Sequence, residues 1–187
     1  MSKGISQTDG VQVVGRGELA FGKVYIGALA KNLTSPSAEG ELQLSAGGRF
    51  KLRRADVSVS VAYKRWLETS GQPDDVAAEL AVSASQAVGK VTPKIQLIYS
   101  PDDLGSTTYS IYTEAGIGWK PISDLTLSAN VGRRRRGNGI DYTSANVGAA
   151  FALTRNFTAE LRLFDTNKSD VGDPFQRRVV GSIRAKF

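Results

Sequence analysis

The side chains that could do chemistry here are carboxylates, amines, guanidinium groups and hydroxyls, because the sequence contains neither histidine nor cysteine. That absence excludes Ser-His-Asp triads, Asp-His dyads, thiolate nucleophiles and His- or Cys-ligated metals. A mechanism built on carboxylates alone would need an evident pair, and the sequence offers none; an enzyme is the reading these residues favour least. Instead the charges recur at every second position. Arg16 and Glu18, then Glu41, Arg49 and Lys51, begin a series that continues with Lys64, Glu79, Lys94, Glu114, Lys120 and Arg134, then Glu160 with Arg162, and Arg178, Arg184 and Lys186. A spacing of two places such residues on one face of a strand. Small and neutral residues (Gly, Ala, Ser, Thr, Gln, Asn) lie between them. A surface of this kind does electrostatic work: it attracts, selects or pairs ions.

The elements that must carry these residues read as strands almost throughout. Leu42, Leu44, Ala46, Phe50 and Leu52 oppose Glu41, Gln43, Ser45, Arg49 and Lys51. The same alternation recurs through 56–64, 76–85, 91–100, 109–120, 125–134, 143–153 and 157–165, and more loosely through 11–21. It ends with Val179, Gly181, Ile183, Ala185 and Phe187 opposite Arg178, Ser182, Arg184 and Lys186. Lys23 to Lys31 fits either parity, so its facing is open.

Connections alternate in length. Gly22-Lys23, Arg53-Arg54, 87–90, 121–124 and 154–156 are short; 8–10, 33–40, 67–74, 101–107, 135–141 and 166–174 are longer and rich in Gly, Pro, Asp and Ser. This pattern predicts about twelve strands, the first around Lys3 to Gln7 closing against the last. Aromatic residues cluster at the strand ends: Phe21, Tyr25, Phe50, Trp119, Phe151, Phe157 and Phe187 near short turns. Tyr63, Trp66, Tyr99, Tyr109, Tyr112, Tyr142, Phe164 and Phe175 fall near long loops. A soluble β core concentrates large rings mid-strand, whereas a transmembrane barrel sets them in two interfacial girdles. On the apolar face the only charges are Arg133, Asp165 and Arg177, each beside a long loop, where a charge near lipid costs least.

These features together predict one all-β domain over 1–187, a transmembrane antiparallel up-and-down barrel. Hydrophobic residues make up 41% of the chain, and no run approaches a membrane helix, but strand-spanning proteins show no such run either. No secretory leader is visible ahead of the polar start; the expectation is an outer-membrane protein whose leader has been removed. The formal charge of +6 permits anionic partners.

The run Lys3-Gly4-Ile5-Ser6-Gln7-Thr8-Asp9-Gly10 resembles the opening motif of the TorF-type porin family, uncharacterised bacterial outer-membrane proteins. The similarity continues through Tyr25-Ile26-Gly27-Ala28, Tyr99-Ser100-Pro101-Asp102, Tyr112 to Gly116 and Leu127 to Gly132, although only the first motif is specific. In this family a leader and several strand residues precede that motif. The resemblance implies a channel and supplies no catalytic residues and no substrate.

On this reading the charged face lines a lumen, with Arg16, Glu18, Glu41, Arg49, Glu79, Lys94, Glu114, Arg134, Glu160, Arg162, Arg178 and Arg184 as pore-lining residues. About twelve strands enclose a narrow aqueous channel, between the filled eight-stranded barrel and the wide porins. The excess of Lys and Arg favours anions, while mutual pairing of the charges would narrow the bore. Arg133-Arg134-Arg135-Arg136 would sit at an outer strand end, able to meet lipopolysaccharide phosphates or to draw anions in. It lacks the aromatic platform of a nucleic-acid site. Gly15-Arg16-Gly17 and Gly116-Ile117-Gly118 open no helix, so neither is a dinucleotide fingerprint. Expected partners are membrane lipid, lipopolysaccharide and small solutes or ions, with no nucleic acid, cofactor or metal. A closed barrel with a structural or surface-interaction role, its lumen plugged by charge pairs, is the alternative.

Overall fold

Eleven strands follow one another in a single antiparallel meander in the computed structural model, which describes every residue except 1, 9, 36–37, 69–74 and 106–107. They are β1 (Val14–Phe21), β2 (Val24–Ser35), β3 (Ala38–Leu52), β4 (Ala55–Leu67), β5 (Val76–Ser85) and β6 (Val91–Ser100). Then come β7 (Ser110–Ile122), β8 (Leu125–Arg136), β9 (Tyr142–Ala152), β10 (Phe157–Thr166) and β11 (Arg178–Ala185). A 3₁₀ turn, Asp173–Phe175, precedes β11. Among the described residues no helix is long and apolar enough to cross a membrane.

Register follows from the alternation, because a slip of one residue would send every apolar side chain to the charged face. Leu44 lies opposite Tyr63, and Tyr63 opposite Ala78. On the other face Lys31 lies opposite Glu41. The result inverts an ordinary globular core. Leu19, Leu44, Val61, Ile95, Leu161 and Ile183 stand more than half exposed on the apolar face. The buried residues include Glu41, Lys64, Glu79, Asp103 and Arg134, together with Tyr112 and Tyr142. The polar face is the inside of the curve: side chains from β2, β5 and β9 reach the same short segment near the N-terminus.

Several expectations need correction. Residues Lys3 to Gln7 are not a strand: Ser2 and Ile5 exchange backbone hydrogen bonds of 2.9 and 3.0 Å around a tight turn, folded against the polar face. The described strands therefore number eleven, and among the described residues no ladder joins β1 to β11. Being the first and last of an odd series, these two edges run in the same direction.

The connection 33–40 is mostly strand, since β2 continues to Ser35 and β3 starts at Ala38, with a register shift between Asn32 and Ser35. Its residues 36–37, like 69–74 of the loop 67–74, 106–107 of the loop 101–107 and residue 9 of 8–10, lie outside the described residues. The facing of β2 is settled. Val24, Ile26, Ala28 and Ala30 are exposed on the apolar side, and Tyr25, Gly27, Leu29 and Lys31 turn inward.

Tyr25 therefore leaves the girdle, and Gly47 makes room for it: a Cβ on Gly47 would come within 2.8 Å of the Tyr25 ring. Tyr112, Tyr142 and Phe175 are likewise buried, with the Tyr142 and Phe175 rings meeting edge-on at 5.3 Å. Phe164 lines an interior cavity. Parity explains Tyr25, Tyr112, Tyr142 and Phe164, which occupy inward register positions, whereas Phe175, in the 3₁₀ turn, is buried by its edge-on contact with Tyr142. Of the remaining short-turn rings, Phe21, Phe50, Trp119, Phe151 and Phe157 are exposed on the apolar side and Phe187 is fully exposed at the C-terminus, while Tyr63, Tyr99 and Tyr109 are exposed at the long-loop end.

Candidate functional site

The charged face organises into three tiers from the short-turn end to the long-loop end. Nearest the short turns, Glu18 on β1 takes Arg49 of β3 with both oxygens, at 2.6 and 2.7 Å, and Arg16 at 3.2 Å. The Arg49 guanidinium also lies 4.1 Å from the centre of the Tyr25 ring. These groups are water-exposed, so the pairing orients Arg49 more than it stabilises the fold.

The middle tier surrounds a cavity of about 330 Å³. Lys94 on β6 meets Glu114 on β7 at 3.1 Å, and the Tyr112 hydroxyl donates to the other Glu114 oxygen at 2.8 Å. Across the cavity, Arg162 on β10 donates to Glu160 at 2.7 Å, to Ser128 at 2.6 Å and to Asn146. Asn130 on β8 donates to Asn146 on β9 at 2.7 Å. Ile98 and Phe164 add apolar wall. This tier presents fixed donors and acceptors to open space, as a polar solute or hydrated ion requires.

The third tier is filled by the chain itself. The turn at Ser2–Ile5 has positive φ at both central residues, Lys3 at 48° and Gly4 at 83°, a conformation that an X-Gly pair suits. The turn presents the Lys3 ammonium to Glu79 at 2.7 Å and to Asp103 at 3.6 Å. Glu79 also holds Lys64 at 2.7 Å, and Asp103 is paired with Arg134. The Tyr142 hydroxyl donates to the Lys3 carbonyl at 2.8 Å, and Gly4 packs on Ser144. Farther along, Ser6 N–H donates to the Pro174 carbonyl at 3.0 Å and Lys31 donates to the Gln7 side chain at 2.7 Å. Lys31 also meets Glu41 at 3.0 Å. Residues 2–8 thus strap the interior from the β11 side to β2.

Burial works against the charges of Asp103 and Lys3. It raises the Asp103 carboxyl, but Arg134 and Lys3 outweigh that effect and hold the group at about 2. Burial, followed by Arg134, pushes the Lys3 amine below its usual range, while Glu79 and Asp103 oppose the shift.

Of the twelve residues expected to line a pore, Glu79, Lys94, Glu114 and Arg162 do border the cavity. Glu160 orients Arg162. Glu41 and Arg134 belong to the buried tier, and Arg16, Glu18 and Arg49 to the exposed one. Arg178 donates to the Asp173 carbonyl at 2.9 Å beside the long loop, and Arg184 stands apart at the short-turn end. The four-arginine run splits by parity: Arg134 goes inward, and Arg133 and Arg135 stay exposed. Lys3, Asp103 and the inward tyrosines were not anticipated in the site. Asn130 and Asn146 could have been, since both hold inward positions on adjacent strands. Among the described residues no group of three or more Asp or Glu converges as a metal site would require.

No family model matches the chain, and no curated protein matches it. Solved structures do. The NanC porin superposes with a TM-score of 0.71 at 10% identity, over 98% of this chain and 96% of that one. The KdgM porin gives 0.69 at 9% identity, over 94% and 91%. A loop-deletion mutant of OmpT from Vibrio cholerae gives 0.54 at 12% identity, over 92% of this chain and 61% of OmpT. At these identities the likeness establishes architecture: this chain has a porin-type fold, an all-antiparallel sheet with an apolar exterior and a charged interior.

Proposed function

We propose that this protein is an outer-membrane channel for passive diffusion of small polar, preferentially anionic, solutes. The observation that carries the reading is the inverted burial: an apolar exterior from edge to edge around a cavity lined by Lys94, Glu114, Asn130, Asn146 and Arg162. Soluble monomers rarely expose an apolar surface that continues from strand to strand in this way. In lipid the sheet must close into a barrel, since an open edge would leave backbone groups unsatisfied. The rings beside the short turns and beside the long loops then lie at the two interfaces, with the long loops outward. Exposed Arg133 and Arg135 fit contact with lipopolysaccharide phosphates.

The anion preference follows from a count of partners. The inward glutamates each have a cation, whereas among the described residues Lys120 and Arg184 have no acid within ion-pair distance. Planar-bilayer recording across a salt gradient tests both parts. Folded protein that never conducts refutes the channel, and a cation-selective reversal potential refutes the charge argument. A second reading, a closed barrel plugged by its charge pairs, is favoured by the Lys3 strap. It predicts silence in the unaltered protein and conductance once the strap is released.

A further inference from the structure

Besides Lys120 and Arg184, which the channel reading already uses, the short-turn end carries exposed cations that it does not. Four of the five short connections bear at least one exposed cation, Lys23, Arg53 with Arg54, Lys90 and Arg155, and beside the fifth, 121–124, Lys120 is exposed on β7. Arg184 near the end of β11 and Lys186 just beyond it add exposed cations at this end. Acids at this end are sparse. Asp56 pairs with Lys51 at 3.5 Å, and Asp124 sits in the β7–β8 turn. Lys90 spends its ammonium on the Pro121 carbonyl of the neighbouring turn, at 2.8 Å. Among the described residues Lys23, Arg53, Arg54 and Arg155 have no acidic partner within ion-pair distance. The long-loop end is mixed: Asp165 answers Arg177, Asp75 answers Arg65 and Asp103 answers Arg134, while among the described residues Arg133 and Arg135 have no acid within ion-pair distance.

Depth assigns these cations a partner. Phe21, Phe50, Trp119, Phe151 and Phe157 are exposed on the apolar side within a few residues of the same turns. Rings of this kind settle at the headgroup level, which sets the turn cations at or just beyond the lipid phosphates. We infer that the short-turn rim binds anionic phospholipid headgroups of the inner leaflet, with the turn cations Lys23, Arg53, Arg54, Lys90 and Arg155 as the recognising groups. This inference rests on the membrane-spanning reading above. A cation near an anionic bilayer surface gains about 1 kcal/mol, or about fivefold in local lipid preference, and the gain is screened by salt.

Trp119 is a built-in reporter, since the chain has two tryptophans and the other, Trp66, lies at the long-loop end. The Trp66→Phe protein is refolded into phosphatidylcholine vesicles containing equal fractions of either brominated phosphatidylglycerol or brominated phosphatidylcholine. At low salt the glycerol lipid should quench Trp119 with at least about threefold preference, lost in 1 M salt. The preference should also vanish in a variant carrying Lys23→Gln, Arg53→Asn, Arg54→Gln, Lys90→Gln and Arg155→Gln. Asparagine at 53 tolerates the positive φ of 57° found there. Should that variant fail to insert, the salt titration of the unaltered protein decides alone. A preference near one in inserted protein, or one that the substitutions and salt leave unchanged, overturns the inference while the membrane reading stands. Failure to insert into either vesicle overturns both.

Discussion

Replacing Gly4 by alanine should unseat the N-terminal strap. Gly4 has a φ of 83°, where a side chain costs about 1–2 kcal/mol. The new Cβ would fall 2.5 Å from Ser144 Cβ, so the turn must also move away from β9. That movement strains the hydrogen bond from Tyr142 to the Lys3 carbonyl, worth about 1 kcal/mol. Together these effects weaken the docked state by about 3 kcal/mol, or roughly 100-fold in its equilibrium with a released strap. Ser6→Cys supplies the assay, because Ser6 is buried in the docked strap and the chain has no other cysteine. Maleimide labelling of folded protein in bilayers should accelerate by one to two orders of magnitude when Gly4→Ala is added, and single-channel conductance should rise in parallel. Labelling within about threefold of the parent, with unchanged conductance, would refute the argument that Gly4 seats the strap.

Other outcomes follow from the same geometry. Asp103 ionises at about 2 in the folded protein against 3.8 ordinarily, so its lowered value adds stability above pH 4 that is lost as the pH falls toward 2. The contribution is about 2 kcal/mol; strap labelling should increase over that window, and Asp103→Asn should abolish the pH dependence. Leu44→Arg, on the exposed apolar face, should cost about 2–4 kcal/mol of folding stability in bilayers, read by denaturant titration. Lys120→Glu with Arg184→Glu should move the reversal potential toward cation selectivity without loss of the folded form, because neither residue has an acidic partner among the described residues.

Much of this architecture was legible in the sequence because a period of two leaves little freedom. Once Leu44 and Val61 face one way, Glu41, Arg49 and Lys64 must face the other, and the ladders agree. The errors came where parity gives no information. Lys3 to Gln7 reads as a short strand, but Gly4 permits a turn there, and buried acids on β5 and the β6–β7 loop compete for Lys3. Position near a strand end suggested that Tyr25, Tyr112 and Tyr142 were girdle residues; their register numbers place them inside. Asp103 could not be identified as part of the site, since a loop carries no periodicity to say which way it folds.

The shared direction of the two edge strands has a consequence for assembly. Antiparallel neighbours anywhere else in the sheet come as complementary up-and-down pairs, but β1 and β11 both descend from the long-loop end. If they meet directly, theirs is the one junction with slanted, parallel hydrogen bonds, which are slightly weaker per residue. A second molecule inserted with the same orientation cannot improve on this, because its own free edges descend too. The edges formed by the described strands can therefore offer neighbouring copies of the same orientation only the less stable, parallel pairing.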